Sequence, residues 1–217
     1  PYPNPPMHMT FSQERFRDSA EALGMTAFPA PSANMTRAYE NPLGCQLAPC
    51  SYCGFCEKYG CGNYSKATPQ TTVLPVLMRK PNFTLRTEAE VLRIERTPDG
   101  RHATGVTFLD ARGREYFQPA DIVVLCAYPL ENTRLMMLSG IGEVYDPATG
   151  QGQVGRNYCY QVMSGVDVFF EDEYTNGFVG AGALAMVVDD FNGDNFDHSG
   201  LDFIHGGYLS CSTTNAR

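Results

Sequence analysis

The feature that most constrains this chain is a run of thiols. Residues 50–61, CSYCGFCEKYGC, carry Cys50, Cys53, Cys56 and Cys61, and Cys45 lies just upstream. Thiols this close in sequence converge on a small volume at little cost in chain entropy, which is what an iron–sulfur cluster requires. Gly54, Gly60 and Gly62 let the backbone turn around such a centre. Cys50, Cys53, Cys56 and Cys61 are therefore the candidate metal ligands. Zinc fits less well, because its paired C-x2-C units are normally separated by a longer loop. A loop holding free thiols or one disulfide is the alternative. Cys126, Cys159 and Cys211 are dispersed, unlike the framework of a small disulfide-stapled domain.

The remaining composition narrows the class. The chain has 217 residues, 43% of them apolar, enough for one large domain or two small ones. Its net charge of −8 argues against a nucleic-acid surface. No apolar run approaches the roughly 20 residues of a membrane helix. The opening PYPNPPMHMT lacks the basic end and apolar stretch of a secretory leader. With no start or ending signal, the chain reads as one piece, residues 1–217, of a longer protein.

Along the chain, FSQERFRDSAEALG predicts a helix with Phe16, Ser19, Ala20 and Leu23 on one stripe. Thr10 is its N-cap, Gln13 completes a capping box and Gly24 is the stop. Residues 25–49, broken by Pro29, Pro31 and Pro42, read as loop. A cysteine-rich loop spans 45–64, and QTTVLPVLMRK reads as a short helix. A strand-rich block spans 81–127: NFTLRT, EVLRIERT, ATGVTFLD and REYFQP, punctuated by the turn signals TPDG and DARG. ADIVVLCA is a continuous apolar run, as expected of a strand buried on both faces. LENTRLMMLSG reads as a helix closed by Gly140, and VMSGVDVFFED and LDFIHGGYLSC read as strands. Helices and strands mix without strict alternation. The expected class is α+β, with mixed or antiparallel sheets and flanking helices, the alternative being one part of an α/β protein.

At CAYPLENTRLMMLSGIGE, residues 126–143, the sequence resembles the second signature of the glucose–methanol–choline (GMC) flavin oxidoreductases. Arg134, Leu135, Ser139, Gly140, Ile141 and Gly142 match that signature. Asn132 and Thr133 replace its usual Ser-Pro, and Tyr128 replaces a glycine near the flavin's ADP. RKPNFTLRTEAEVLRI, ATGVTFLDARGREY and QVGRNYCYQ resemble further family segments in the same order. CGFC followed by YGC and SKATPQTT is similar to the flavin subunits of bacterial gluconate and related sugar dehydrogenases.

The resemblance implies an FAD enzyme that takes hydride from a sugar, sugar acid or polyol, of which this chain is the central part: some of the substrate domain and some of the FAD-binding domain. It implies cofactor contacts at Val91, whose backbone meets the adenine, and at Ala127 and Tyr128. It implies that the catalytic histidine pair and the phosphate-binding glycine turn lie outside this chain. It also implies a [3Fe–4S] cluster on the cysteine loop, although the second interval between Cys50, Cys56 and Cys61 is one residue longer than in those proteins. A small subunit, a cytochrome c subunit and a position on the periplasmic face of the inner membrane are implied for the whole complex. The isolated chain is expected to be inactive and to carry neither group. The rival readings are an iron–sulfur or metal-binding electron-transfer module without flavin, and an inactive structural fragment.

Three further motifs carry less. GAGALA, residues 180–185, matches Gly-x-Gly-x-x-Ala but lacks the preceding apolar strand and following helix of a dinucleotide turn, so it reads as a surface segment. DDFNGDNFDH has calcium-loop composition, but Gly193 comes too early for an EF-hand, so it reads as a solvated turn. His8, His102, His198 and His205 are scattered; His205, in an expected strand, reads first as a satisfied structural histidine, with a place facing the substrate side as the alternative.

Overall fold

The computed structural model describes residues 2–57, 59–180, 182–203 and 206–212. His205 lies outside them. No described helix is long and apolar enough to cross a membrane. The fold is α+β, with small antiparallel sheets and few helices. The chain divides into two compact units, Pro1–Phe83 with Val168–Arg217, and Thr84–Asp167.

The first unit opens with α1, Phe11–Ala22. Gln13, buried in its first turn, accepts hydrogen bonds through Oε1 from the Thr10 N–H (3.2 Å) and the Thr10 hydroxyl (2.6 Å). The predicted cap thus forms. The helix ends at Gly24, whose φ of +80° suits the expected stop. The buried face differs from the expected stripe: Ala20 is buried, but Leu23 is 74% exposed.

Beside α1 lies a three-stranded sheet of β1 (Ala27–Pro29), β7 (Ala185–Val188) and β8 (Leu209–Ser212), in the order β1-β7-β8. Its central strand buries Met186 and Val188 on one face, the period-2 pattern of a half-buried strand. A two-stranded ribbon joins β2 (Tyr39–Glu40) to β3 (Gln46–Leu47). QTTVLPVLMRK forms two single turns rather than one helix: α2 (Pro69–Thr72) and α3 (Leu74–Leu77). Val73 separates them at φ −122°, and Pro75 stands in the first turn of α3, where its missing N–H costs no intrahelical bond.

The second unit is built on β4 (Glu90–Arg96), β5 (Ala103–Leu109) and β6 (Glu115–Pro119), paired in chain order as an antiparallel meander. TPDG and DARG make the predicted turns, with Gly100 N–H donating to Thr97 O and Gly113 N–H to Asp110 O. Ile94, Thr107 and Phe108 are buried in the sheet and Leu135 in α4 (Pro129–Leu138). Ser139 ties helix to sheet. Its Oγ accepts the Ile94 N–H at 2.8 Å and donates to Leu135 O at 2.6 Å.

Three expected strands are not regular strands. NFTLRT forms none. ADIVVLCA is also outside any strand, with Ile122 79% and Val124 75% exposed. A run apolar on both faces is stable as a strand only with neighbours beside and above it, and the described residues pair none with it. VMSGVDVFFED likewise forms no strand, and Val162 is fully exposed. In LDFIHGGYLSC only the last part pairs, as β8.

Two consequences can be measured. Gly105 sits in β5 at φ +152°, and a side chain there would collide with Gln118 O and the Phe117 ring of β6. Gly105→Ala should lower stability by about 1–3 kcal/mol from the backbone conformation alone, read by urea unfolding. At the DARG turn, Asp110 accepts the backbone N–H groups of Arg114 and Arg112 and pairs with the Arg114 guanidinium, which lowers its pKa from 3.8 to about 2. The carboxylate therefore stabilises the turn above its ordinary pKa, and the gain is lost as pH falls toward 2. The Arg112 and Arg114 amide resonances should titrate near about 2, and that transition should vanish in Asp110→Asn.

Candidate functional site

The described residues of 45–64 have no regular secondary structure after β3, so other segments must satisfy their backbone. Cys50 N–H donates to Met35 O (2.7 Å). Met35 in turn exchanges bonds with Ser65: its N–H donates to Ser65 O, and the Ser65 hydroxyl donates back to Met35 O. Gly180 N–H donates to Tyr52 O, and His8 N–H to the Tyr52 hydroxyl. Lys66 reaches across the loop, its Nζ donating to Cys56 O (2.5 Å) and Tyr59 O (3.3 Å). Cys50, Tyr52 and Cys56 pack against the buried trio Met7, Ala183 and Leu184.

GAGALA is thus not the surface segment it resembles. Leu184 is 1% and Ala183 7% exposed, and a Cβ on Gly182 would come within 2.8 Å of Glu57 backbone atoms. The motif's small residues serve packing against the cysteine loop.

The thiols have separate surroundings. All eight cysteines are free. Burial pushes the Cys50 thiol up, and neighbouring Cys56 and Cys53 add to it. Cys56 Sγ lies 3.3 Å from Asn34 Nδ2, and Cys53 is exposed. Cys61 lies 2.7 Å from Asn63 Oδ1. Burial raises its pKa, but backbone N–H groups of Lys66, Ser65 and Asn63 and the Lys66 charge outweigh it, leaving the thiol below its usual range. Among the described residues no group of three or more His, Cys, Asp or Glu side chains is placed to hold a metal ion. The expected ligand set of Cys50, Cys53, Cys56 and Cys61 is not assembled: one thiol faces solvent, one turns to Asn63, and two lie on the Met7–Leu184 core. DDFNGDNFDH is a turn around a 3-10 segment, Gly193–Asn195, and Asp190 Oδ2 accepts the Thr26 N–H.

Between this loop and the β1–β7 edge lies a pocket of about 440 Å³. Its floor is Ala30, Pro31 and Ala183–Ala185; Ser32, Asn34, Glu57 and Lys66 supply polar groups. No motif pointed to it. Lys66 lies in the SKATP segment, but only the fold brings it to the same pocket as Glu57.

The signature segment lies in the second unit. Asn132 replaces the usual Ser of that signature, and its side chain clamps the turn: Oδ1 accepts the Ala127 N–H at 2.8 Å, and Nδ2 donates to Leu125 O at 3.4 Å. Tyr128 caps α4 with φ +76°, a left-handed conformation favouring glycine. Its hydroxyl lies 3.5 Å from that of Tyr158. Val91 sits half-buried at a register shift of β4, opposite Phe108. His102 follows TPDG in the loop between β4 and β5, exposed, and His198 Nδ1 lies 3.3 Å from Phe196 O.

Residues 10–163 match the model of the GMC oxidoreductase family. The chain belongs to that family. It is 47% identical, over 94% of its length, to a gluconate 2-dehydrogenase flavoprotein of Pantoea cypripedii, of which it covers 34%. It is 28% identical over 83% of its length to paromamine 6'-oxidase of Streptomyces fradiae, covering 31% of that protein. A 6'''-hydroxyparomomycin C oxidase of Streptomyces lividus is 27% identical over 79% of the chain, which covers 29% of it. The chain spans about a third of each relative.

The thiol environments set an order of reactivity, because the thiolate is the nucleophile. Under limiting iodoacetamide at neutral pH, Cys61 should be alkylated well before Cys50. Peptide mapping by mass spectrometry reads the order, and equal rates would contradict the environments described.

Proposed function

We propose that this chain is part of an FAD-dependent dehydrogenase that oxidises a CH–OH group of a sugar, sugar acid or polyol. The observation that carries the reading is the 47% identity, over nearly the whole chain, to a protein named as a gluconate 2-dehydrogenase flavoprotein. Two other relatives are named as oxidases of paromamine and hydroxyparomomycin C.

The second unit fits the cofactor-contacting role. Asn132 fixes the Ala127 amide, and Tyr128 leaves the backbone open in a glycine-like conformation at the start of α4. Val91, Ala127 and Tyr128 are the residues proposed to hold the adenine–diphosphate end of FAD. The bound flavin supplies a two-electron acceptor for substrate hydride. The substrate hydroxyl must lose its proton as hydride leaves, which calls for a base such as histidine; that base is proposed on the part of the polypeptide beyond this chain. In the same proposal the intact protein works with a small subunit and a cytochrome c subunit at the periplasmic face of the inner membrane. The flavin-free electron-transfer alternative lacks support from the cysteine loop, which assembles no ligand set among the described residues.

The test uses the intact polypeptide containing this chain, purified with FAD. Under anaerobic conditions, gluconate, glucose or sorbitol should bleach the oxidised-flavin bands, while the isolated 217-residue chain shows no turnover with an artificial acceptor. Intact protein that binds FAD but is reduced by none of the three would contradict the proposal.

A further inference from the structure

The β4–β6 meander carries a row of stacked groups beside Val91, all within the second unit. Phe108 of β5 pairs in register with Val91 of β4 on one side and with Tyr116 of β6 on the other. Directly opposed residues share one face of a sheet. The Phe108 and Tyr116 rings stack, with centroids 5.7 Å apart and planes inclined by 22°. The Arg86 guanidinium lies over the Phe108 ring, its Cζ 4.8 Å from the centroid. Phe108 is only 4% exposed, whereas Arg86 is exposed. The guanidinium thus covers the ring while the side chain stays open to solvent.

Arg86 is also uncommitted. Among the described residues its guanidinium makes no hydrogen bond or ion pair. In the same sheet Arg93 is held by Glu95 and Glu115, and Arg114 by Asp110. A guanidinium is planar and weakly hydrated and stacks on aromatic faces, which an ammonium does not. Neighbouring strands lie about 4.7–4.9 Å apart. A flat heteroaromatic ring resting on the Val91 backbone would therefore lie one strand's width from Phe108, within reach of the plane that Arg86 holds above it.

We propose that Arg86 is a cofactor-binding residue, the stacking platform for the adenine of FAD, with Phe108 and Tyr116 behind it as positioning residues. The inference rests on the reading above that the adenine meets the Val91 backbone, and it adds a side chain to that contact. Electrostatic attraction to the FAD phosphates needs only a charge, whereas stacking needs the plane.

The test uses the intact polypeptide stripped of FAD and titrated with FAD by flavin fluorescence, with thermal unfolding of each apoprotein alongside. Arg86→Met keeps an apolar cover on Phe108 and removes the plane. Arg86→Lys keeps the charge and removes the plane. Both should weaken FAD binding by about fivefold, roughly 1 kcal/mol, and Arg86→Met should leave the apoprotein midpoint unchanged. Wild-type affinity in either variant would overturn the stacking role. A loss of affinity matched by an equal loss of apoprotein stability would reduce Arg86 to a cover for Phe108 and overturn it too. A crystal structure of the wild-type complex separates the two readings. Adenine at Val91 with Arg86 turned away overturns this inference alone, and adenine remote from Val91 overturns both.

Discussion

The cysteine loop depends on one constraint: a stretch without helix or strand must borrow hydrogen-bond partners for its backbone. Met35, Ser65 and Lys66 provide them from either side of the loop. The Lys66 ammonium takes the carbonyls of Cys56 and Tyr59, and bonds to a charged donor are worth more than neutral ones. Once the loop is held, Cys50 and Cys56 lie on Met7 and Leu184, and Glu57 meets the glycine turn at Gly182. The pocket wall is a consequence of that closure.

The second unit uses a different device. Its meander is self-contained, and Ser139 locks α4 to β4 through a single buried hydroxyl. The signature turn then hangs from a fixed helix, with Asn132 performing the clamp and Tyr128 tolerating a conformation usually left to glycine. A non-glycine residue held at φ +76° and ψ 147° carries strain of about 1–3 kcal/mol, and such strain persists where the surroundings determine it. Here the surroundings are the Pro129 helix start and the Asn132 bonds.

Local chemistry made much of this legible in the sequence. Thr10 and Gln13 announced a cap, TPDG and DARG announced turns, and the short runs EVLRIERT and ATGVTFLD on either side of TPDG announced strands, because each depends on residues within a few positions. ADIVVLCA and VMSGVDVFFED failed because burial depends on partners that sequence pattern does not reveal, and the described residues leave Ile122, Val124 and Val162 in solvent. At the candidate site, thiol spacing showed that the cysteines could meet but not where each would turn. Asn63 takes Cys61 in one direction and the Leu184 core takes Cys50 and Cys56 in another. The pocket was invisible for a related reason: Ser32, Glu57, Lys66 and Ala185 are far apart in sequence and meet only through β1–β7 pairing and the Lys66 bonds.

The central claim is that this chain forms part of an FAD site through Val91, Ala127 and Tyr128. The most direct measurement is a crystal structure of the intact polypeptide with FAD bound. The account predicts the adenine against the Val91 backbone and the diphosphate end close to Ala127 and Tyr128, with Tyr128 still at positive φ. FAD bound away from all three residues would contradict it.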